Sequence, residues 1–182
     1  MSSVAVTVIA TPRERLMDTA NFELWGQPRP FKRDGEVRVL VVDDNESARG
    51  AIAAYLTLEG MHVCAVAGYC EALSASADWK PDVAVLDIMM PVHDGFQTAQ
   101  ALRDRFDDYV CIVAFTATDS SFVKSHPASR FLFDGYCQKG TSPERLVRVL
   151  ESLLANKAHR QSANSNFVGS NDSLAMNPTG RS

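Results

Sequence analysis

The sequence predicts an α/β domain built on a doubly wound parallel sheet of five strands. Five short apolar runs, rich in valine, alternate with five segments of helical periodicity between residues 37 and 154. The runs are continuously apolar, which is typical of strands that are covered on both faces. Strands of this kind form a parallel sheet with helices on each side, so the alternation and the apolar runs predict the same fold class.

The predicted elements follow one another at short intervals. The strands span residues 37–42, 61–66, 82–87, 109–115 and 135–138. The helices that follow them span residues 46–59, 69–79, 95–106, 119–131 and 143–154. His126-Pro127 interrupts the fourth helix, because proline removes a backbone donor. Ser142 and Pro143 suit the N-cap and the first position of the last helix.

Two further segments flank the predicted domain of residues 36–155. Residues 1–35 are expected to be an N-terminal extension and linker, partly disordered, in which residues 13–25 have only weak helical spacing. A docking helix and a disordered leader are both open there. Residues 156–182 are rich in Asn and Ser, and we expect a disordered polar tail. That tail is too short for an output domain, so a stand-alone domain is expected.

The composition narrows the classes of partner. A formal net charge of −4 and a pI near 5.5 give no reason to expect binding to nucleic acid or to an anionic membrane. No apolar run approaches the roughly 18 residues of a membrane helix, and no positive charge precedes the apolar run at Val4–Ala10 as in a secretory signal. The four cysteines lack C-x-x-C spacing and are predicted to be buried, reduced thiols. A cytoplasmic protein with protein partners is therefore expected.

Residues that carry chemistry stand where the predicted strands end. Asp43 and Asp44 follow the first strand, Asp87 ends the third, Thr116 follows the fourth and Lys139 the fifth. The carboxyl ends of parallel strands meet at one edge, so these side chains should converge. Oxygen ligands suit Mg²⁺, and an aspartate can act as a nucleophile that forms an acyl phosphate. Two plainer roles stay open: the acidic pair could only cap the next helix, and the threonine could only end its strand.

Four segments, in this order, resemble the receiver domain of two-component response regulators. They are V-V-D-D-N around Asp43, D-I-M-M-P-V-H-D-G from Asp87, Thr116-Ala117, and Y-C-Q-K ending at Lys139. Each segment alone is a weak signal, but all four fall at the predicted strand ends. The resemblance spans roughly residues 37–154, nearly the whole predicted domain.

The resemblance implies a flavodoxin-like sheet in the order 2-1-3-4-5 and a phosphoryl group carried on Asp87. The donor would be a phosphohistidine on a sensor histidine kinase or a phosphotransfer protein, and a downstream protein target would read the result. The implied Mg²⁺ ligands are Asp43, Asp44, Asp87 and the backbone carbonyl of Met89. Lys139 and Thr116 would contact the phosphoryl group, and Tyr136 would follow Thr116 by moving inward, as the family's switch.

Such a protein is a phosphoacceptor rather than an enzyme, because it catalyses only its own phosphorylation and dephosphorylation. Two alternatives stay open: a phosphorylation-independent binding module with the same fold, and a Mg²⁺-dependent aspartyl-phosphate hydrolase. The hydrolase usually has Asp-x-Asp after its first strand, whereas Asp43 and Asp44 are adjacent. Gly140 replaces the family's usual proline after Lys139, which puts the signalling face in question. The apolar side chain of Met89, together with Thr118 two places after Thr116, gives limited help to an attacking water. Slow self-dephosphorylation is therefore predicted.

Overall fold

The computed structural model describes residues 22–25 and 35–165, which form one mixed sheet with helices on both faces. The strands are β1 (Phe22–Leu24), β2 (Arg38–Val42), β3 (His62–Val66), β4 (Val83–Leu86), β5 (Cys111–Thr116) and β6 (Gly135–Gln138). The helices are α1 (Glu46–Leu58), α2 (Tyr69–Asp78), α3 (Gly95–Phe106), α4 (Ser120–Ser125), α5 (Ser129–Leu132) and α6 (Pro143–Ser165). A short 3-10 helix at Asp107–Tyr109 leads into β5.

The sheet has the order β1-β6-β5-β4-β2-β3, and the five strands from β2 to β6 are parallel. Counted along those five strands alone, the order is the predicted 2-1-3-4-5. The prediction of a doubly wound parallel sheet is therefore confirmed. The strands are buried along nearly their whole length because helices cover both faces, as their continuous apolar character requires.

The sixth strand, β1, was not predicted. It pairs antiparallel with the edge strand β6, with Phe22 opposite Cys137 and Leu24 opposite Gly135. The docking helix that the weak helical spacing of residues 13–25 left open is therefore wrong at Phe22–Leu24, which form a strand. Residues 13–21 lie outside the described part of the chain. Pairing with β1 satisfies backbone groups along a sheet edge that would otherwise face solvent, so tertiary pairing outweighs the weak local pattern.

Two apolar clusters fill the space between the sheet and its helices. One contains Leu40, Leu86 and Ile112, and the other contains Val39, Val85 and Val113 from the same three strands. Adjacent residues of a strand point to opposite faces, so each strand contributes to both clusters. The core is thus built from the continuous apolar runs of the sequence.

The helices differ from the prediction at two places. The predicted interruption at His126-Pro127 is confirmed, because α4 ends at Ser125 and α5 begins at Ser129. In contrast, α6 continues to Ser165 and so extends over residues 156–165 of the tail that is expected to be disordered. Alanine, lysine, arginine and glutamine in that stretch favour a helix. Residues 166–182 lie outside the described part of the chain.

The cysteines are free thiols with unequal exposure. Cys111 and Cys137 are buried, as predicted, and burial raises the pKa of Cys137 to about 11. Cys70, on α2, is exposed, and Cys64 is only partly buried, so the prediction of burial is wrong for Cys70. Within the described residues, no helix combines the length and the apolar character needed to cross a membrane.

Candidate active site

Two neighbouring strands deliver the central carboxylates to one edge of the sheet. In the register of β2 and β4, Val42 lies opposite Leu86, so Asp43 and Asp87 come next on adjacent strands. The backbone N–H of Asp87 donates to the carbonyl oxygen of Val42 at 2.9 Å. The ladder therefore ends at these two aspartates, and their side chains begin where the sheet stops.

Three carboxylates form a compact acidic cluster. One oxygen from each of Asp43, Asp44 and Asp87 can be chosen so that all three lie within 4.8 Å of one another. Asp43 and Asp87 are 2% and 7% exposed, whereas Asp44 is exposed. Like charges at this separation repel, and burial strengthens the repulsion, so the cluster requires a compensating cation.

Lys139, which follows β6, provides part of that compensation. Its Nζ lies 2.5 Å from Oδ2 of Asp87 and 2.7 Å from Oδ2 of Asp43. Burial alone would lower the pKa of Lys139, but the close contacts and negative charges of these two carboxylates outweigh it and raise the pKa. The ammonium is therefore retained at neutral pH. One positive charge leaves a formal excess of negative charge among the three acids.

The donor set of the cluster fits a hard divalent cation. Oδ2 of Asp43 is buried, and its contact with Lys139 lies outside hydrogen-bonding geometry, so this oxygen has capacity for a ligand. All three side chains offer oxygen, which Mg²⁺ prefers. The backbone N–H of Met89 donates to Oδ1 of Asp87 at 3.1 Å, which places the main chain of Met89 beside the same carboxylate.

A residue other than the acidic pair caps the helix that follows β2. Asn45 is the N-cap of α1, and its Oδ1 accepts from the N–H of Ala48 at 2.9 Å. The alternative in which Asp43 and Asp44 only cap the helix is therefore wrong. Arg49 donates from Nη1 to the carbonyl oxygen of Asp43 at 2.7 Å, and so helps to hold the loop.

Gly95 allows α3 to approach the backbone of Asp87. A Cβ at Gly95 would lie 2.3 Å from the carbonyl oxygen of Asp87, a contact that no side chain tolerates. The N–H of Gly95 donates to the carbonyl oxygen of Ile88 at 3.1 Å. Asp94 caps the helix in a capping box with Gln97. The Asp-Gly pair therefore fixes the loop that carries Asp87.

Thr116 and Tyr136 lie on the strands next to the acids. Thr116 ends β5, is fully buried, and accepts the backbone N–H of Lys139 at its carbonyl oxygen at 2.9 Å. Tyr136 is 1% exposed and donates its hydroxyl to the carbonyl oxygen of Thr118 at 2.7 Å. Burial, and then the charges of Asp119, Cys137 and Glu23, raise the pKa of Tyr136 to about 12, which keeps it a donor.

The site is an acidic cluster bridged by a lysine at the carboxyl edge of the sheet. Comparison of the sequence with protein families agrees with this arrangement. The family model described as the response regulator receiver domain matches residues 39–151. The chain belongs to the response regulator receiver family. This is a family of signalling phosphoacceptors, and its members bind Mg²⁺ at an acidic pocket.

Curated relatives of this receiver include response regulators of mycobacteria. The response regulator MprA of Mycobacterium bovis (strain BCG / Pasteur 1173P2) is 34% identical over 146 residues. MprA of Mycolicibacterium vanbaalenii is 32% identical over the same length. Each match covers 80% of this chain and 62% of the relative, so this receiver spans less than two thirds of the relatives' length.

Solved structures have the same fold as this receiver. Chemotaxis protein CheY4 of Vibrio cholerae has a TM-score of 0.61 and 30% identity, covering 66% of this chain and 100% of that chain. Response regulator TrrA of Thermotoga maritima, solved in complex with Mg²⁺-BeF, has a TM-score of 0.59 and 30% identity. That match covers 65% of this chain and 99% of TrrA.

The predicted site residues of this receiver fall into two groups. The structure brings Asp43, Asp44, Asp87 and Lys139 into one cluster. It places Thr116 at the end of β5, joined to Lys139 through the backbone, with its hydroxyl 3.4 Å from that of Thr118. The side chain of Met89 is 58% exposed. Arg49, which donates to the carbonyl oxygen of Asp43, was not identified from the sequence. Its position one turn into α1 was the available signal.

Proposed function

We propose that this receiver accepts a phosphoryl group on Asp87 from a phosphohistidine of a sensor histidine kinase or a phosphotransfer protein. The observation that supports this most strongly is the position of the Asp87 carboxylate, which lies within 4.8 Å of oxygens of Asp43 and Asp44 and 2.5 Å from the ammonium of Lys139. A nucleophilic oxygen there lies beside both the acids for a cation and the lysine for a phosphoryl oxygen.

The transfer step follows from this arrangement. A carboxylate oxygen of Asp87 attacks the phosphorus, the P–O bond forms as the P–N bond breaks, and the electron pair returns to the imidazole nitrogen. The ammonium of Lys139 turns from the carboxylate of Asp87 to the phosphoryl oxygens. The hydroxyl of Thr116 donates a hydrogen bond to one of these oxygens. Asp43, Asp44, Asp87 and the backbone carbonyl of Met89 would hold Mg²⁺, which would supply positive charge against the phosphoryl oxygens.

The signal leaves the site through Thr116 and Tyr136. Tyr136 is already buried and bonded to the carbonyl oxygen of Thr118, two residues beyond Thr116. We therefore infer that phosphorylation acts by drawing on the Thr116–Thr118 segment, with Tyr136 following it, rather than by burying an exposed ring. A downstream protein target then reads the changed surface. We place this chemistry in the cytoplasm, where sensor kinases present their phosphohistidines.

Phosphoramidate tests the proposal because it offers a P–N bond without a partner protein. The protein is incubated with phosphoramidate and Mg²⁺, treated with hydroxylamine, and digested for peptide mass analysis. An acyl phosphate on Asp87 yields a hydroxamate on the peptide that carries this residue. A hydroxamate on another residue favours the phosphorylation-independent module. The same conclusion follows if no hydroxamate forms with phosphoramidate and transfer from a phosphohistidine donor also fails. Catalytic turnover of phosphate esters that survives Asp87→Asn favours the hydrolase instead.

A further inference from the structure

The segment Phe22–Trp25 docks against the edge of the sheet like a bound peptide. Its strand pairs antiparallel with β6, and the backbone N–H of Trp25 donates to the carbonyl oxygen of Asp134 at 2.7 Å. Phe22 is 7% exposed and lies in the apolar cluster that contains Leu146 and Leu150. Backbone pairing at a sheet edge, with an aromatic anchor in a pocket, is the geometry of strand addition by an extended peptide.

The acidic side chain of this segment meets donors from α4. Glu23 accepts from the hydroxyl of Ser120 at 2.7 Å and from Nε1 of Trp25 at 2.8 Å. It also forms an ion pair with Lys124. These contacts join the segment to a helix that is almost a hundred positions away in sequence, with a separation of 97 residues for the Ser120 contact. They are therefore specific tertiary contacts rather than local ones.

The aromatic end of the segment covers Tyr136. The rings of Trp25 and Tyr136 stack with centroids 5.6 Å apart, and Nζ of Lys124 lies 5.6 Å from the centroid of Trp25. A cleft of about 600 Å³ continues from Trp25 along α4 and α5, and Lys124, His126 and Arg130 are among its lining residues. The cleft is positively charged, and it extends the surface on which the segment lies.

The receiving strand is shaped for a close backbone neighbour. Gly135 lies opposite Leu24, and a Cβ at this position would lie 3.3 Å from the carbonyl oxygen of Glu23 and 3.3 Å from Cγ1 of Val149. The absence of a side chain at Gly135 therefore leaves room for the backbone of an added strand. An edge without β1 would expose unpaired backbone groups.

We propose that the edge of β6 and the adjoining α4 cleft form a docking site for an extended acidic-aromatic peptide of a partner protein. The segment Phe22–Trp25 occupies this site as an internal competitor, and a partner that carries a glutamate two residues before a tryptophan displaces it. Lys124 and Ser120 select the glutamate, the pairing with β6 selects an extended backbone, and Tyr136 receives the aromatic ring. This proposal does not depend on phosphorylation.

The test uses the full chain and a fluorescently labelled peptide of residues 19–27, TANFELWGQ. Glu23→Lys places the chain's own segment against Lys124 with like charge, so the segment leaves and the peptide binds. An occluded site lowers the apparent affinity by the fraction that is open, so wild type should bind at least about tenfold more weakly than Glu23→Lys. Fluorescence anisotropy measures both affinities. Glu36→Lys makes the same change of charge on an exposed residue outside β1 and should bind like wild type.

A reciprocal pair separates docking from a general change of charge. Lys124→Glu should release the chain's own segment and bind the peptide in which Glu is replaced by Lys, while losing affinity for TANFELWGQ. Trp25→Ala, which keeps the ion pair of Glu23 with Lys124 but removes the ring that stacks on Tyr136, should also increase peptide binding. Thermal unfolding checks that each variant is folded. Equal affinity of wild type and Glu23→Lys overturns the proposal. Peptide affinity that is unchanged in Lys124→Glu also overturns it. A variant whose freed edge pairs with a second copy of the chain and excludes the peptide overturns it as well.

Discussion

Nζ of Lys139 lies 2.5 Å from Oδ2 of Asp87, so the ammonium rests on the carboxylate that we propose to be phosphorylated. The same ammonium lies 2.7 Å from Oδ2 of Asp43. It is therefore already at the site where a phosphoryl group would bring further negative charge. A cation held in place before the reaction stabilises developing charge without reorganisation.

Lys139→Met should slow phosphoryl loading by about 100-fold, because the charge that stabilises the transferring group is lost. The three carboxylates remain, so Mg²⁺ binding should persist. Loading by acetyl phosphate at saturating Mg²⁺, followed by mass spectrometry over time, measures the rate. Lys80→Met is the control, since Nζ of Lys80 lies 3.8 Å from the ring centroid of Tyr109, away from the acids. An unchanged rate in Lys139→Met would remove the lysine from the mechanism.

Gly95→Ala should destabilise the fold by about 1–3 kcal/mol or more and reduce loading of Asp87. The added Cβ would lie 2.3 Å from the carbonyl oxygen of Asp87, so α3 or the loop must shift. Urea unfolding measures the loss of stability. Gly50→Ala is the matched control: Gly50 lies in α1 with nothing within 4 Å of an added Cβ, and its replacement should stabilise by about 0.5–1 kcal/mol. Equal effects of the two variants would contradict the close approach at Gly95.

Arg103→Ala should cost about 3–5 kcal/mol, because it leaves the carboxylate of Asp134 buried without its ion pair. Nη2 of Arg103 lies 2.6 Å from Oδ2 of Asp134, and the two side chains are 8% and 3% exposed. The guanidinium also donates to the carbonyl oxygens of Leu132 and Val110, which tie α5 and the start of β5 to α3. Chemical denaturation measures the free energy of unfolding.

A double-mutant cycle with Asp134→Asn separates the pair from its other contacts. The double variant should lose less than the sum of the single losses, since the buried charge is then removed together with its partner. Arg105→Ala, on the more exposed face of α3, should change stability little. Additive losses in the cycle would contradict a coupled pair.

Docking of β1 should weaken in acid. Burial would raise the pKa of Glu23, but hydrogen bonds from Lys124, Ser120 and Trp25 and the charge of Lys124 outweigh it, so the pKa lies below its ordinary value of 4.5. A carboxylate with a lowered pKa in the folded state contributes stability that is present above the pKa of the unfolded state. That contribution is lost as pH falls below 4.5 through the folded-state pKa.

Unfolding of wild type and Glu23→Gln on both sides of pH 4.5 measures this contribution. The difference in stability between the two proteins should be largest above pH 4.5 and shrink in acid. A difference that grows as pH falls would have the wrong sign and would contradict the assigned contacts of Glu23.

The parallel sheet could be predicted because its signal is local. Each of the strands β2 to β6 is an apolar run followed by a helix. Crossover connections between parallel strands are right-handed, which restricts the possible strand orders. The edge strand β1 could not be predicted, since its pairing with β6 depends on contacts across the chain and its own three residues carry little pattern. Gly135 was the available signal, but a glycine that admits a neighbouring backbone cannot be distinguished in sequence from one that serves a turn.

The acidic cluster was predictable for a topological reason. Parallel strands place their carboxyl ends together, so Asp43, Asp87 and Lys139 had to meet once the fold was known. The support around them was not predictable, because it depends on loop geometry. Asn45, rather than the aspartates, caps α1, and Arg49 reaches back to the carbonyl oxygen of Asp43.

Phosphoryl loading of the full chain tests the central claim most directly. The protein is incubated with acetyl phosphate with and without Mg²⁺, and intact mass is measured for wild type, Asp87→Asn and Asp94→Asn. Asp94 is the matched control, because an asparagine also caps a helix and the residue lies in the same loop. Wild type and Asp94→Asn should gain the mass of one phosphoryl group only with Mg²⁺, and Asp87→Asn should gain none. Equal loading of Asp87→Asn, or no loading of wild type from either acetyl phosphate or a phosphohistidine donor, would contradict the account.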